Sequence, residues 1–247
     1  MQLLINIGNT HVEISDQNLS TIERFKTADF ISDPLDILTS SAHYQFDNNL
    51  PLFISSVVPK AEEALRTHCH DAQLNFLTWD KISSLIDFSE VNPTTIGADR
   101  LANALAAQAQ LKLPAFVVDC GTCINSEFID DKSRFLGGSI APGRQLQRNI
   151  LFQGTGQLPD VALNHEELHT LGRNTHEAIQ AGIDLGLIAG IQKMIDTLSE
   201  LQSIHCYFTG GDRQIFLDNI KGTQEAPKHL TLLGIQAFSK ISTTDNL

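Results

Sequence analysis

Apolar residues along the chain fall into short blocks, most of them closed by glycine or proline. MQLLINIG (1–8) is a run of largely apolar positions ending on a glycine, the pattern of a buried strand entering a turn. VEISD (12–16) then reads as the return strand of a hairpin. PLFISSVVP (51–59) predicts a short buried strand closed by Pro59, and KAEEALRTHC (60–69) has helical spacing through Ala61, Ala64 and Leu65. LNFLTW (74–79) precedes a polar segment, DFSEVNPTTIGADR (87–100). RLANALAAQAQLK (100–112) predicts a helix that stops before Pro114. FLGGSIAPG (135–143) predicts a tight glycine and proline loop. THEAIQAGIDLGLIAGIQKMIDTL (175–198) predicts one long amphipathic helix, and HLTLLGIQAFSK (229–240) a closing helix.

The layout restarts midway. PAFVVDCGTCINSEFID (114–130) repeats the order of LLINIGNTHVEISD: apolar residues, Asn or Asp, one residue, Gly, a small polar residue, then a β-rich return. An offset of about 110 residues suits a two-fold repeat of a small α/β domain. A third strand, IHCYFT, runs into Gly210 and Gly211, and a helix is expected from Asp212. No linker or low-complexity segment separates the halves.

Charge and cysteine content narrow the function. The chain has 247 residues, with Lys+Arg 17 against Asp+Glu 29, a formal net charge of −12. Such a surface repels polyanions, so no nucleic-acid partner is expected, while a locally positive pocket can still take a phosphorylated small molecule. No run reaches the length of a wholly apolar span, and the first residues lack a basic region, so neither a membrane partner nor a signal peptide is expected. Cys69, Cys120, Cys123 and Cys206 do not suggest a disulfide scaffold, and a cytoplasmic location is the simplest reading.

The candidate chemistry sits in the glycine turns NIGNT, DCGT and FTGGD. Glycine lets backbone approach an anion, and successive N–H groups with Asn9, Thr10 and Thr122 can bind phosphate oxygens. Asp119 at the end of a buried strand calls for a cation or a strong hydrogen-bond network. Neither a Walker motif nor G-x-G-x-x-G after a strand occurs. GADR (97–100) places Asp99 and Arg100 at a helix start. Asp99 suits that position as a first-turn acid, or as the acceptor of a substrate hydroxyl proton with Arg100 holding an anion. Phosphoryl transfer needs little beyond such positioning and charge stabilisation.

With these stretches in order, the sequence resembles the type III pantothenate kinases of the acetate and sugar kinase, Hsp70 and actin superfamily. The matching segments are NIGNT (6–10), NPTTIGADR (92–100), VVDCGT (117–122), FLGGSIAPG (135–143), GRNTHEAIQAG (172–182) and TGGD (209–212). The resemblance implies two ribonuclease H-like domains, residues 1–112 and 113–247. It implies phosphorylation of pantothenate by ATP, with Mg²⁺ and a monovalent cation such as K⁺ or NH₄⁺, the first step of coenzyme A biosynthesis, in a cytoplasmic homodimer. It assigns ATP phosphates to Asn6, Ile7, Gly8, Asn9, Thr10, His11, Val12 and Glu13, and nucleotide contacts to Thr122, Gly210 and Gly211. Pantothenate falls to Gly97, Ala98, Asp99, Arg100 and Thr175, with Asp99 the proton acceptor, and the monovalent cation to Asp119.

The sequence departs from the family pattern at three places. Asn6 stands where the family usually carries Asp, a neutral group where a carboxylate helps position Mg²⁺. FSEV precedes Asn92 in place of a segment with tyrosine, and CIN follows Thr122 in place of small or hydroxyl residues. Two other readings therefore stay open: a kinase of another small hydroxy acid, and a family member that binds nucleotide or protein without catalysis. HEELH (165–169) matches H-E-x-x-H, but the third histidine of the longer zinc pattern would fall at Thr175, so a polar surface segment is expected. CGTC (120–123) lies between two strands and not at a helix start, so buried thiols are expected in place of a redox pair.

Overall fold

Proline and glycine set many of the element boundaries. The computed structural model describes residues 1–244 except 42, 45, 48, 164–167 and 169. In chain order it begins with β1 (Leu3–Ile7), β2 (His11–Asp16), β3 (Ile22–Lys26), α1 (Thr27–Ser32) and α2 (Pro34–Ser40). Next come β4 (Pro51–Ser56), α3 (Pro59–His68), β5 (Gln73–Phe76), α4 (Trp79–Ile82), a 3₁₀ turn (Pro93–Thr95) and α5 (Ala98–Gln110). Then follow β6 (Ala115–Cys120), β7 (Cys123–Ile129), β8 (Phe135–Pro142), α6 (Arg144–Gly154) and α7 (Thr175–Leu201). β9 (His205–Thr209), α8 (Arg213–Asn219), β10 (Thr223–Glu225) and α9 (Leu230–Thr244) complete it.

The chain divides into two units. One comprises Met1–Leu113, Ile129–Gly137 and Lys228–Leu247; the other comprises Pro114–Phe128 and Gly138–Pro227. The main crossing thus falls between Leu113 and Pro114, while two later segments count with the first unit.

The first unit holds a five-stranded sheet in the order β3-β2-β1-β4-β5. β2 pairs antiparallel with β1 and with β3, whereas β4 runs parallel to β1 and to β5. One face buries Ile5, Ile7, Val12, Ile14 and Ile54 in a cluster with Phe30, Leu38, Ala61 and Leu65 of α1 to α3. Each of the valine, leucine, isoleucine and phenylalanine side chains contributes about 1.5–3 kcal/mol on full burial. The other face carries Leu4 and Phe53, and Phe53 meets Phe238 of α9 edge-on at 5.6 Å. α5 packs along α9 on this side.

The second sheet has the order β10-β9-β6-β7-β8, the same as the first when read from its own opening strand. The internal repeat expected from the sequence is thus present in the topology.

Two sequence expectations need correction. FLGGSIAPG is not a loop but β8, at the edge of its sheet, with only Gly143 left over as the residue before α6. An edge strand tolerates glycine and a terminal proline because its outer N–H groups need no ladder partner. The strand at 51–59 stops at Ser56, and Pro59 opens α3, where its missing N–H costs nothing. α7 is, by length and composition, apolar enough to cross a membrane. Here it serves as a core helix, burying Ile179, Ile183, Ile188, Ile191 and Ile195 in the second unit.

Candidate active site

The first unit presents its first glycine turn at the end of β1. Gly8 N–H donates to the His11 carbonyl at 3.0 Å, closing the hairpin. Thr27, buried at the start of α1, braces it twice. Its hydroxyl donates to the Gly8 carbonyl at 2.7 Å and its N–H to the Thr10 carbonyl at 3.1 Å. Asn9 and Thr10 are left exposed at the tip, Asn6, Gly8, His11 and Glu13 are half-buried, and Ile7 and Val12 are buried. The His11 ring lies 3.0 Å from an Arg24 nitrogen. Burial first, and then the Arg24 charge, hold His11 below its usual 6.5, so the ring favours the neutral form and Nδ1 can accept from Arg24.

The same unit carries GADR. α5 starts at Ala98 after Gly97, so Asp99 lies in its first turn and its Oδ1 accepts from Arg100 N–H at 2.8 Å. Burial pushes the Asp99 carboxyl above its ordinary 3.8, against the lowering pull of that hydrogen bond and the Arg100 charge. The Arg100 guanidinium lies 5.8 Å from the centre of the Phe135 ring, within cation–π range. Beside Gly97 and Ala98 opens a cavity of about 420 Å³, lined also by Val57, Trp79, Thr94 and Leu101. Its size suits a small organic substrate.

In the second unit three segments converge. Asp119 is the next-to-last residue of β6, paired in register with Thr209 of β9. Asp212 N–H donates to the Cys120 carbonyl at 2.9 Å, hanging the β9–α8 turn on β6. Gly210 has φ +87, and a Cβ there would lie 2.4 Å from the Cys120 carbonyl oxygen and 2.6 Å from Asp119 Oδ1. Arg213, itself paired with Glu225 at 2.7 Å, donates to the Gly210 carbonyl at 2.9 Å. Gly143 N–H donates to the Thr122 carbonyl at 2.9 Å, and a Cβ at Gly143 would come within 2.2 Å of the Gly121 carbonyl. Only glycine lets these backbones approach so closely.

Behind these turns lies a network that the sequence reading missed. Arg144 grips Asp184 of α7 with two nitrogens, at 2.8 and 2.9 Å, and Arg148 reaches the same carboxylate at 3.0 Å. All three side chains are buried. Burial opposes the Asp184 charge, but the two arginines outweigh it and hold the carboxyl below its ordinary value. A further Arg144 nitrogen faces Asp212 at 3.7 Å, which links the network to the glycine turn.

Thr175 is exposed at the first position of α7. The preceding Asn174 caps the helix, its Oδ1 accepting from Glu177 N–H at 3.0 Å while Glu177 accepts from Arg173 N–H at 2.7 Å. All four cysteines are free thiols, and burial, followed by the Asp119 and Asp212 charges, pushes the Cys120 thiol up. The HEELH expectation falls on His165, Glu166 and His169, which lie outside the described residues.

The donor chemistry fits hard cations. Asp119 offers a carboxylate at a strand end, against a glycine whose missing Cβ leaves room beside Oδ1. Among the described residues no three His, Cys, Asp or Glu side chains gather into a metal-binding group. A divalent ion would therefore be held with the help of phosphate oxygens, as Mg²⁺ commonly is.

Comparison with known proteins bears on the same residues. A type III pantothenate kinase from Shouchella clausii is 31% identical over 250 residues, covering 96% of this chain and 97% of that protein. One from Syntrophotalea carbinolica is 28% identical over 248 residues, with the same coverage. Among solved structures, a Campylobacter jejuni protein assigned to a Baf family of transcriptional activators aligns with a TM-score of 0.62. It is 22% identical and covers 99% of this chain and 100% of its own. An inorganic polyphosphate/ATP-glucomannokinase from Arthrobacter aligns at 0.50, with 15% identity over 98% of both chains, a likeness of fold alone. The family profile of type III pantothenate kinase matches residues 2–197, a span that takes in the first two glycine turns, GADR and the start of α7. The chain belongs to the type III pantothenate kinase family.

Proposed function

We propose that the protein transfers the γ-phosphoryl group of ATP to the hydroxyl of pantothenate. The observation that carries this reading is Asp99. A carboxyl raised by burial, in the first turn of α5 and flanked in sequence by Gly97, Ala98 and Leu101, which line a substrate-sized cavity, supports a general base. Asp99 would accept the hydroxyl proton, and Arg100 would hold the carboxylate of the substrate. In the first unit Gly8, Asn9 and Thr10 would grip phosphate oxygens through backbone N–H and side-chain donors. In the second unit Thr122, Gly210 and Gly211 would contact the nucleotide. Asp119 would hold K⁺ or NH₄⁺, and Thr175 would contact pantothenate. Mg²⁺, when bound with ATP, supplies charge neutralisation at the transferring phosphoryl group.

The second unit also exposes the apolar side chains Ile140, Ile150, Phe152 and Met194, which a homodimer would cover at least in part. Free thiols, buried at Cys69, Cys120 and Cys206 but, contrary to the expectation for CGTC, only half-buried at Cys123, support a cytoplasmic setting.

The test is turnover of pantothenate with ATP, Mg²⁺ and K⁺. The Asp99→Asn variant is expected to lose about 10²–10⁴-fold in kcat. The acid limb of the wild-type kcat/KM profile is expected above the ordinary aspartate value of 3.8, since the base must be ionised to act. Equal turnover by both proteins would remove Asp99 from its role. Turnover of another hydroxy acid with pantothenate inert would favour a kinase of different specificity. Asn6 supports the alternative of a non-catalytic nucleotide-binding protein, and ATP binding without any turnover would favour it.

A further inference from the structure

The register of the first sheet sets a row of polar residues across the mouth of the first glycine turn. Glu13 of β2 lies directly opposite Asn6 of β1, Ser55 of β4 lies opposite Asn6 on its other side, and Arg24 of β3 lies opposite Glu13. Directly opposed residues share a face, with Cβ atoms about 4.5–5.5 Å apart. By strand alternation this is the face of Leu4 and Phe53, the one on which α9 packs and α5 lies along it. The remaining β1 residues are buried and apolar, whereas Asn6 and Glu13 are both half-buried. The Ser55 hydroxyl is buried with no hydrogen-bond partner among the described residues. The Glu13 charge is felt at the turn, since it raises the His11 pKa against the other influences there.

The second unit shows what a carboxylate at the Asn6 position looks like. Asp119 stands two residues before Gly121, as Asn6 stands two residues before Gly8. Its sheet repeats the order of the first. In the first unit the strand-end group is neutral, and the nearest carboxylate in register is one strand over.

We propose that Glu13 supplies, from β2, the carboxylate ligand for the nucleotide-bound divalent cation that neutral Asn6 cannot supply from β1. This rests on the reading of the protein as an ATP-dependent kinase. Asn6 keeps an amide oxygen beside it as a neutral acceptor. The competing role for Glu13 is a cross-strand pair with Arg24. Such a pair at a partly exposed position contributes little, and an Arg24 nitrogen already lies at His11.

Mn²⁺ is the probe, with its affinity for the protein–ATP complex read from the electron paramagnetic resonance of the free ion. Calorimetry measures ATP binding without metal. Glu13→Gln keeps the size of the side chain. It is expected to weaken Mn²⁺ binding about tenfold or more, one oxygen ligand's charge being lost, while metal-free ATP binding does not weaken, since a negative charge beside the phosphates is removed. Restoring the carboxylate one strand over, in Asn6→Asp with Glu13→Gln, is expected to return Mn²⁺ affinity to within about threefold of wild type. Unchanged Mn²⁺ affinity in Glu13→Gln, or a double variant no better than the single one, would overturn the proposal. Asn6→Asp alone gives a second check that does not depend on the folding of Glu13→Gln. It is expected to change Mn²⁺ affinity by less than about threefold, because the position is already served. A gain of about tenfold or more would show that the natural site lacks its carboxylate, and would overturn the assignment of Glu13. Failure of the wild type to bind ATP would overturn the kinase reading itself, and the proposal with it.

Discussion

The two glycine turns share one topology and differ in where they keep their charge. Each follows the first strand of a five-stranded sheet with the same strand order. The first ends on neutral Asn6 and is braced by a hydroxyl, Thr27 on Gly8. The second ends on ionisable Asp119 and is braced by backbone, with Gly143 on Thr122 and Asp212 on Cys120. Behind the second turn lies the Arg144–Asp184–Arg148 network, with Arg144 also facing Asp212. A repeated fold therefore does not repeat its electrostatics. One turn follows a neutral strand residue, and the other follows a carboxylate and neighbours, through Asp212, a buried network of two arginines and an aspartate.

Breaking the second arrangement at its base has the largest expected effect. Asp184→Ala strands two buried guanidinium groups, and an unfolding free-energy loss of about 3–5 kcal/mol is expected in denaturant titrations. Its pH dependence has a definite sign. Because Asp184 is held below 3.8, its contribution is present above the unfolded-state value and is lost as pH falls through the depressed one. Acid unfolding of the variant should lack that component.

Gly210→Ala tests the turn itself. The residue sits at φ +87, and the new methyl would meet Cys120 and Asp119. A cost of about 1–3 kcal/mol is expected from the backbone alone, with weaker ATP binding measured by calorimetry. Thr27→Val sharpens the comparison from the other side. It removes the donor to Gly8 and should cost about 1 kcal/mol in thermal or denaturant unfolding, with a modest rise in the ATP KM.

Much of this was legible in the sequence where local rules decide. The hairpin of β1 and β2 follows from an apolar run, a glycine and an alternating return. α5 and α7 follow from their long helical periodicity, and Asp99 could be placed in a first turn because Gly97 precedes it. β8 was misread because two glycines and a proline look like punctuation, whereas an edge strand accepts all three. The partnership of Arg144 with Asp184 joins residues 40 apart, and that of Thr27 with Gly8 joins residues 19 apart. Neither spacing carries a motif, and only the packing of α6 on α7 and of α1 on the hairpin brings the pairs together. The register of Glu13 with Asn6 was latent in the hairpin, since residues equally far from a turn face each other. It acquired meaning once the strand order matched the correspondence of Asn6 and Asp119 already present in the repeat.

The division of work between the turns is tested most directly by titrating ATP affinity against KCl at constant ionic strength, in the wild type, Asp119→Asn and Asp99→Asn. Potassium is expected to strengthen ATP binding to the wild type and to Asp99→Asn alike, and to leave Asp119→Asn unchanged. Potassium-dependent binding that survives in Asp119→Asn would contradict the assignment of the cation to the second turn.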